Sequence, residues 1–480
     1  MKAEKIQNAI GHIGEDLIAE AEERPHAARR FSKWIAAVAA MLAVVIAVSV
    51  YLRPMTDDPI ILRAYAMETA VYPTQAPFPD ENKYHGDAWS AANKAWHDNK
   101  TQIKTKYGAV PLELNGFFQT TIADVLSGNG TQNTVYSPIN VYMALAMLAE
   151  VCAGNSRQQL LELLECEGVE QLRAQTEAVW NLNYCNDGAT TCVPANSMWL
   201  SDAVNYNSNT LQTLADRYYA SAFRGKMGSA DYNKALQTWL NEQTGNLLAD
   251  KIADINMDVQ TVLALASTVR FQASWSSKFS EQSTAKRVFY APDQKMTCDF
   301  MNKRGTNIYY WGEQFSAVSI DLENSGSVWI VLPDETTTVD ALLQDEEALR
   351  FILSNGEWEN KKQVTVDLSI PKFDVSSSVD LSENLKRLGV TDIFRDSTAD
   401  FTPLTTEMPI EVSQVEHGAR VQIDEKGCTA AAYTVAILRG TSAMPPEDEI
   451  DFVADRPFLF AITSDAGMPL FVGTIYQPNI

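Results

Sequence analysis

Histidine is scarce in this chain, and the few present are unevenly placed. Only five occur in 480 residues, and His12, His26, His85 and His97 all precede residue 107. His417 stands alone in the remainder. A His-dependent catalytic triad there has one possible base, and a multi-histidine metal site is excluded. The six cysteines (Cys152, Cys166, Cys185, Cys192, Cys298 and Cys428) form no CxxC pair, so the signatures of zinc and thioredoxin-type sites are missing. No GxSxG, Walker loop or HExxH occurs. Basic charge is also short, with 38 Lys and Arg against 61 Asp and Glu and a net charge of −23. Nucleic acid and anionic lipid surfaces both need the opposite balance. The acid residues read as a solvated face that keeps the protein soluble. The chain is expected to be no enzyme and to need no metal or cofactor. Cys185 and Cys192 are near enough for a local disulfide if the domain is secreted, and otherwise read as free, half-buried thiols.

Charge is absent altogether from residues 34–52, WIAAVAAMLAVVIAVSVYL. At ~1.5 Å per residue such a helix nearly spans a ~30 Å hydrocarbon core. Arg24, Arg29, Arg30 and Lys33 precede it, while Arg53, Asp57 and Asp58 follow. The positive-inside rule places the N-terminus in the cytoplasm and the rest outside the cell. A cleaved signal peptide is the rival, but its leading region is short, and here more than thirty residues come first. Within 1–33, Ile6, Ile10, Ile13 and Leu17 share one helix face, which either binds a cytoplasmic partner or has no role. Residues 53–106 read as an extracellular stalk. TAVYPTQAPFPDENKY is expected to be extended, and DAWSAANKAWHDNKTQIK helical, with Trp89 and Trp96 able to dock it on the main domain.

Residues 107–480 form the main domain. Helical patterns come first, in LNGFFQTTIADVL, VYMALAMLAEV and SRQQLLELLE. Strand-like runs follow, among them QTVLALASTVRF, SVWIVLP, VTVDLSIPKFDV, PFLFAITSD and LFVGTIY. The mixture predicts an α+β fold.

Seven short segments, in order, resemble motifs of the serpin family. Asn133 to Asn140 is similar to N-x-x-x-S-P-x-S, with Ser137 and Pro138 in place. Leu265 to Trp275 resembles L-x-N-A-x-Y-F-K-G-x-W. Ile370 to Phe373 carries P-K-F, and Ala399 to Phe401 carries A-D-F after Phe394. Val412 to His417 resembles V-S-K-x-x-H. Asp455 to Phe460 and Leu470 to Gly473 resemble the two C-terminal strands. The resemblance implies helices around a large central mixed sheet, two smaller sheets and an exposed reactive loop. It implies that Ser137, Asn140, Ser267 and His417 meet at the sheet centre, the shutter, with Trp275 near the top of the same opening. The alternatives are a satisfied core histidine and a core tryptophan. Asn140 and Ser267 exchange the family's usual Ser and Asn, which preserves the hydrogen-bonding inventory.

Glu425, Gly427, Cys428, Ala430, Ala431, Ala432 and Thr434 resemble the family hinge, E-x-G-T-E-A-A-A-x-T. The residues themselves also suit a strand that enters a closed core, because side chains alternate with period two. Cys428, Ala430, Ala432, Thr434 and Ala436 are all small, while Tyr433 and Ile437 fall in the other set. An ordinary Ala-rich loop is the plainer reading. The resemblance implies suicide inhibition, in which a serine protease cleaves the loop, forms a covalent ester and is trapped as the hinge inserts. Counting forward from Glu425 places the cut at Thr441–Ser442; counting backward gives Ala443–Met444, and Arg439 is a third candidate. Small residues before the cut suit elastase-like or subtilisin-like proteases. The expectation is thus a monomeric inhibitory serpin, tethered outside a bacterial cell. The alternative is a non-inhibitory binding or sensor protein on the same fold.

Overall fold

The computed structural model describes residues 58–80, 83–412, 414–428 and 448–478. The expected span at 34–52 and the amphipathic stretch before it lie outside these. Among the described residues no helix is long and apolar enough to cross a membrane. The description below concerns the compact unit Pro59–Ile480.

The strands, in chain order, begin with β1 (Ala66–Glu68), β2 (Thr134–Tyr136), β3 (Cys185–Asn186), β4 (Thr191–Ser201), β5 (Ala220–Gly225) and β6 (Leu263–Ser274). Next come β7 (Ala285–Tyr290), β8 (Lys295–Trp311), β9 (Phe315–Asp321), β10 (Ser327–Pro333), β11 (Lys361–Pro371) and β12 (Phe373–Asp380). The last are β13 (Glu416–Asp424), β14 (Gly427–Cys428), β15 (Glu449–Val453), β16 (Phe458–Thr463) and β17 (Pro469–Ile475). One sheet runs β1-β5-β4-β6-β14-β13-β12, with β3 against β4. The other runs β15-β11-β8-β9-β10-β16-β17-β2, with β7 against β8. The two smaller sheets expected are joined through the 17-residue strand β8, which pairs with β7 and β11 along most of its length and with β9 at its end.

The helix Pro138–Val151 is apolar on every side and lies between β6 and β17, so the core forms around it. Pro138 starts it at the first turn, where a missing N–H costs nothing. The helix Ala230–Thr244 covers the opposite face of the first sheet. Tyr232, Leu236 and Trp239 pack there with Trp199 and Phe223 in a separate apolar cluster. The two faces of β6 therefore look into different cores: Leu265, Val269 and Phe271 into the main one, Ala264 and Ala266 into the smaller.

The run VTVDLSIPKFDV reads as one strand in the sequence. It is two, β11 and β12, in different sheets, with Lys372 at the crossing. Of residues 53–106, read as stalk, the described part from residue 66 on lies along the domain. β1 extends the edge of the first sheet beside β5. Tyr72 packs against Trp180, Tyr184 and Tyr219 with ring centroids 5.0, 5.6 and 6.4 Å away. Trp96 on the helix Gly86–Tyr107 is buried and donates its indole N–H to Asp187 Oδ2 at 2.9 Å. Trp89 is half-buried, and its indole N–H has no hydrogen-bond partner among the described residues.

Candidate functional site: a slot in the central sheet

β14 is only two residues long, yet it fixes the geometry of the site. Gly427 pairs antiparallel with Ser274 of β6 on one side and with Asp424 of β13 on the other. Cys428 pairs with Ala273 and Ile423. β6 and β13 therefore run parallel to each other with one strand between them. Among the described residues no ladder joins β6 to β13 directly. Two strand spacings, about 9.5 Å, separate them at this level. A Cβ at Gly427 would lie 2.2 Å from the Ala273 carbonyl oxygen, so only glycine permits this entry.

The mouth of the slot is held by named contacts. The Trp275 indole N–H donates to the Asp424 carbonyl at 2.7 Å, and its backbone N–H donates to the Lys426 carbonyl at 3.1 Å. Asp424 Oδ1 accepts from the Lys426 N–H at 2.8 Å, which tightens the turn. Glu425 is buried between Thr284, whose hydroxyl donates at 2.7 Å, and Lys372, whose Nζ lies 3.1 Å from Oε2. Burial pushes the Glu425 carboxyl up, but Thr284, the backbone and Lys372 outweigh it and hold it below its ordinary value. Lys372 can reach Glu425 because the chain changes sheets there.

Deeper in the slot, the first turn of the helix Pro138–Val151 meets both flanking strands. Toward β13, the Ser137 backbone N–H donates to His417 Nε2 at 3.1 Å, and the Ser137 hydroxyl donates to the Leu470 carbonyl at 2.6 Å. Toward β6, Asn140 Nδ2 donates to the Ser267 carbonyl at 3.1 Å. The Ser267 hydroxyl in turn donates to Asn196 Oδ1 of β4 at 2.8 Å, and Asn196 Nδ2 donates to the Tyr218 carbonyl at 2.8 Å. His417 is fully enclosed, and burial pushes its pKa down to about 4. It is neutral at pH 7, as an Nε2 acceptor must be.

The structure thus brings Ser137, Asn140, Ser267 and His417 to the middle of the sheet and Trp275, Glu425, Gly427 and Cys428 to its upper end. Ala430, Ala431, Ala432 and Thr434 of the hinge lie outside the described residues, as do Arg439, Thr441, Ser442, Ala443 and Met444 of the candidate bonds. Sequence reasoning missed Thr284, Lys372 and Asn196 as partners. Asn196 carried one signal, an amide inside the apolar run of β4. After residue 447 the chain returns as β15, parallel to β11 at the edge of the other sheet. Ion pairs of Lys362 with Asp448 and of Arg304 with Glu449 hold that return. Among the described residues no group of three or more His, Cys, Asp and Glu is placed to hold a metal ion.

Residues 113–478 match the family model described as "Serpin (serine protease inhibitor)". The chain is 27% identical to Serpin-ZX of Arabidopsis thaliana over 368 residues, covering 72% of this chain and 92% of that one. It is 27% identical to the leukocyte elastase inhibitor of Homo sapiens over 361 residues, covering 73% and 94%. Its fold is similar to that of the thermophilic serpin tengpin in the native state, with a TM-score of 0.68, 24% identity, and coverage of 76% of this chain and 93% of that one. With the family match running from just before the first core helix to the last strand, this chain belongs to the serpin family.

Proposed function

We propose that this serpin inhibits extracellular serine proteases by suicide-substrate trapping, with elastase-like or subtilisin-like enzymes as targets. The observation that carries this reading is the slot, one strand wide and entered by β14 in a defined register. Continued in that register, Thr429 to Thr434 meet the pairs Gln272/Gln422, Phe271/Val421, Arg270/Arg420, Val269/Ala419, Thr268/Gly418 and Ser267/His417 in turn. Ala430, Ala432 and Thr434 then take the face that Phe271, Val421, Ala419 and His417 turn to the core. Small side chains suit a face that is already packed. Thr434 arrives between Ser267 and His417, and Tyr433 takes the other face.

A protease that attacks the loop becomes joined to it as an ester. The freed hinge inserts, and the protease is carried along before water completes hydrolysis. Roughly a dozen new backbone hydrogen bonds at ~0.5–1.5 kcal/mol each, together with apolar burial, make the change effectively irreversible. Thr441–Ser442 is the proposed scissile bond, with Ala443–Met444 next. The apolar span at 34–52 would hold the domain on the outer side of a cell membrane as a monomer. The test mixes the chain with pancreatic or neutrophil elastase on a denaturing gel. A covalent complex is expected, with the loop cut at one of the two bonds by mass spectrometry. Cleavage with no complex would make the loop a mere substrate.

A further inference from the structure

Cys185 and Cys192 are direct Cα partners across the antiparallel β3–β4 pair. Directly opposed residues of such a pair share a face, with Cα atoms ~4.5–5.5 Å apart. That separation is inside the ~4.4–6.8 Å range that a disulfide requires. Cys185 Sγ lies 3.7 Å from the Thr190 carbonyl oxygen, inside the hairpin. Cys192 is 3% exposed and Cys185 is half-buried; both are thiols in the structure.

The same hairpin is the platform for the N-terminal segment. The Gln75 side chain donates to the Tyr184 carbonyl at 2.7 Å and accepts the Asn186 N–H at 2.7 Å, spanning Cys185 on both sides. The Phe78 N–H donates to the Asp187 carbonyl at 2.8 Å, and Trp96 bonds the Asp187 carboxylate. These four polar anchors all fall within two residues of Cys185.

We propose that Cys185 and Cys192 form a cross-strand disulfide that clamps the platform on which residues 66–107 dock. Each thiol gives up one proton and one electron as the S–S bond forms. The oxidant is a protein disulfide of the thiol-oxidoreductase class, or glutathione disulfide, which is reduced to two thiols. In the finished fold, burial pushes Cys185 up to about 12 and raises Cys192 further, so neither is a thiolate at neutral pH. The bond therefore forms while the hairpin is still open, and the short separation lets the two thiols meet early.

The experiment uses the full chain, expressed with its own N-terminal segment and, separately, refolded in a glutathione redox buffer. Both samples are denatured without reductant and alkylated. Two fewer thiols than the six in the sequence should react, with a linked Cys185–Cys192 peptide in the mass spectrum. Six reactive thiols in both samples, or a link between other cysteines, overturns the proposal. Hydrogen exchange then compares the oxidised protein with the same protein reduced by a phosphine, and with Cys185→Ser. Protection of residues 184–192 and of β1 should fall about tenfold when the bond is absent. Unchanged protection in the reduced wild type overturns the clamp, and that arm needs no variant to fold.

Discussion

At the scale of single residues, the slot depends on two buried titratable groups with opposite requirements. His417 must stay neutral to accept the Ser137 N–H. Its folded pKa of about 4 lies below the ordinary 6.5, so the unfolded chain takes up the proton first on acidification. The stability from its neutral burial is complete above about pH 6.5 and is lost as pH falls toward 4. The shift corresponds to something on the order of 3 kcal/mol. Urea unfolding between pH 7.5 and 5 should show this slope in the wild type, and His417→Gln should flatten it. Equal slopes in both proteins would show that another group carries the effect. Glu425 must instead stay charged against Lys372. Glu425→Gln keeps an acceptor for Thr284 and removes the charge. It should cost about 1–2 kcal/mol in thermal unfolding, because a hydrogen bond to a charged group is the stronger kind.

At the scale of elements, the outer face of the slot has to admit a large residue. In an insertion that keeps the register of β14, as the proposed mechanism requires, Tyr433 would fall between Thr268 and Gly418. A Cβ at Gly418 would meet Leu248 Cδ1 at 3.8 Å and the Ser377 carbonyl at 3.9 Å, both ordinary contacts, and Gly418→Val builds outward from there. It fills the space that Tyr433 needs on insertion. The variant should therefore be cleaved more and trapped several-fold less in titrations against elastase, and Tyr433→Ala should restore trapping. Equal trapping in the wild type and Gly418→Val would place the ring elsewhere. The N-terminal segment is an element of the fold through its aromatics. Trp96→Ala removes a buried ring and the bond to Asp187, and should cost about 3 kcal/mol. Faster hydrogen exchange over residues 184–192 would report it.

At the scale of the whole molecule, the central sheet takes β14 in between two of its strands. β6 and β13 run parallel, and the 19 residues from 429 to 447 lead from the slot to the edge of the second sheet. On the proposed mechanism, cutting that connection would free the hinge from β15 and let the sheet close around a new strand. Mild proteolysis within the loop should raise the thermal midpoint sharply, with both fragments still associated. A cut protein that melts at the temperature of the intact one would mean that the slot does not close.

Much of this was legible in the sequence because it is local. The alternation of small residues from Cys428 to Ala436 needs only the period of a strand to be read, and beyond Cys428 it lies outside the described residues. The apolar run at Pro138–Val151 needs only helix geometry, and the seven ordered segments carry the family. Ser137, Asn140, Ser267 and His417 were named as a group, but which atoms meet was not written in them. Tertiary structure decided that Ser137 serves β13 while Asn140 serves β6, because one helix turn lies under both strands. It decided that Lys372 answers Glu425, since the chain changes sheets within a run that reads as a single strand. It decided that residues 66–107 pack on the domain, since extended backbone and one amphipathic helix find partners only on a finished surface. The scarcity of histidine by itself left a His-dependent triad in the main domain one possible base, His417, and excluded a multi-histidine metal site there. Only the fold showed why the one histidine there is held neutral: it accepts a backbone N–H deep in the slot, where burial disfavours the charged form.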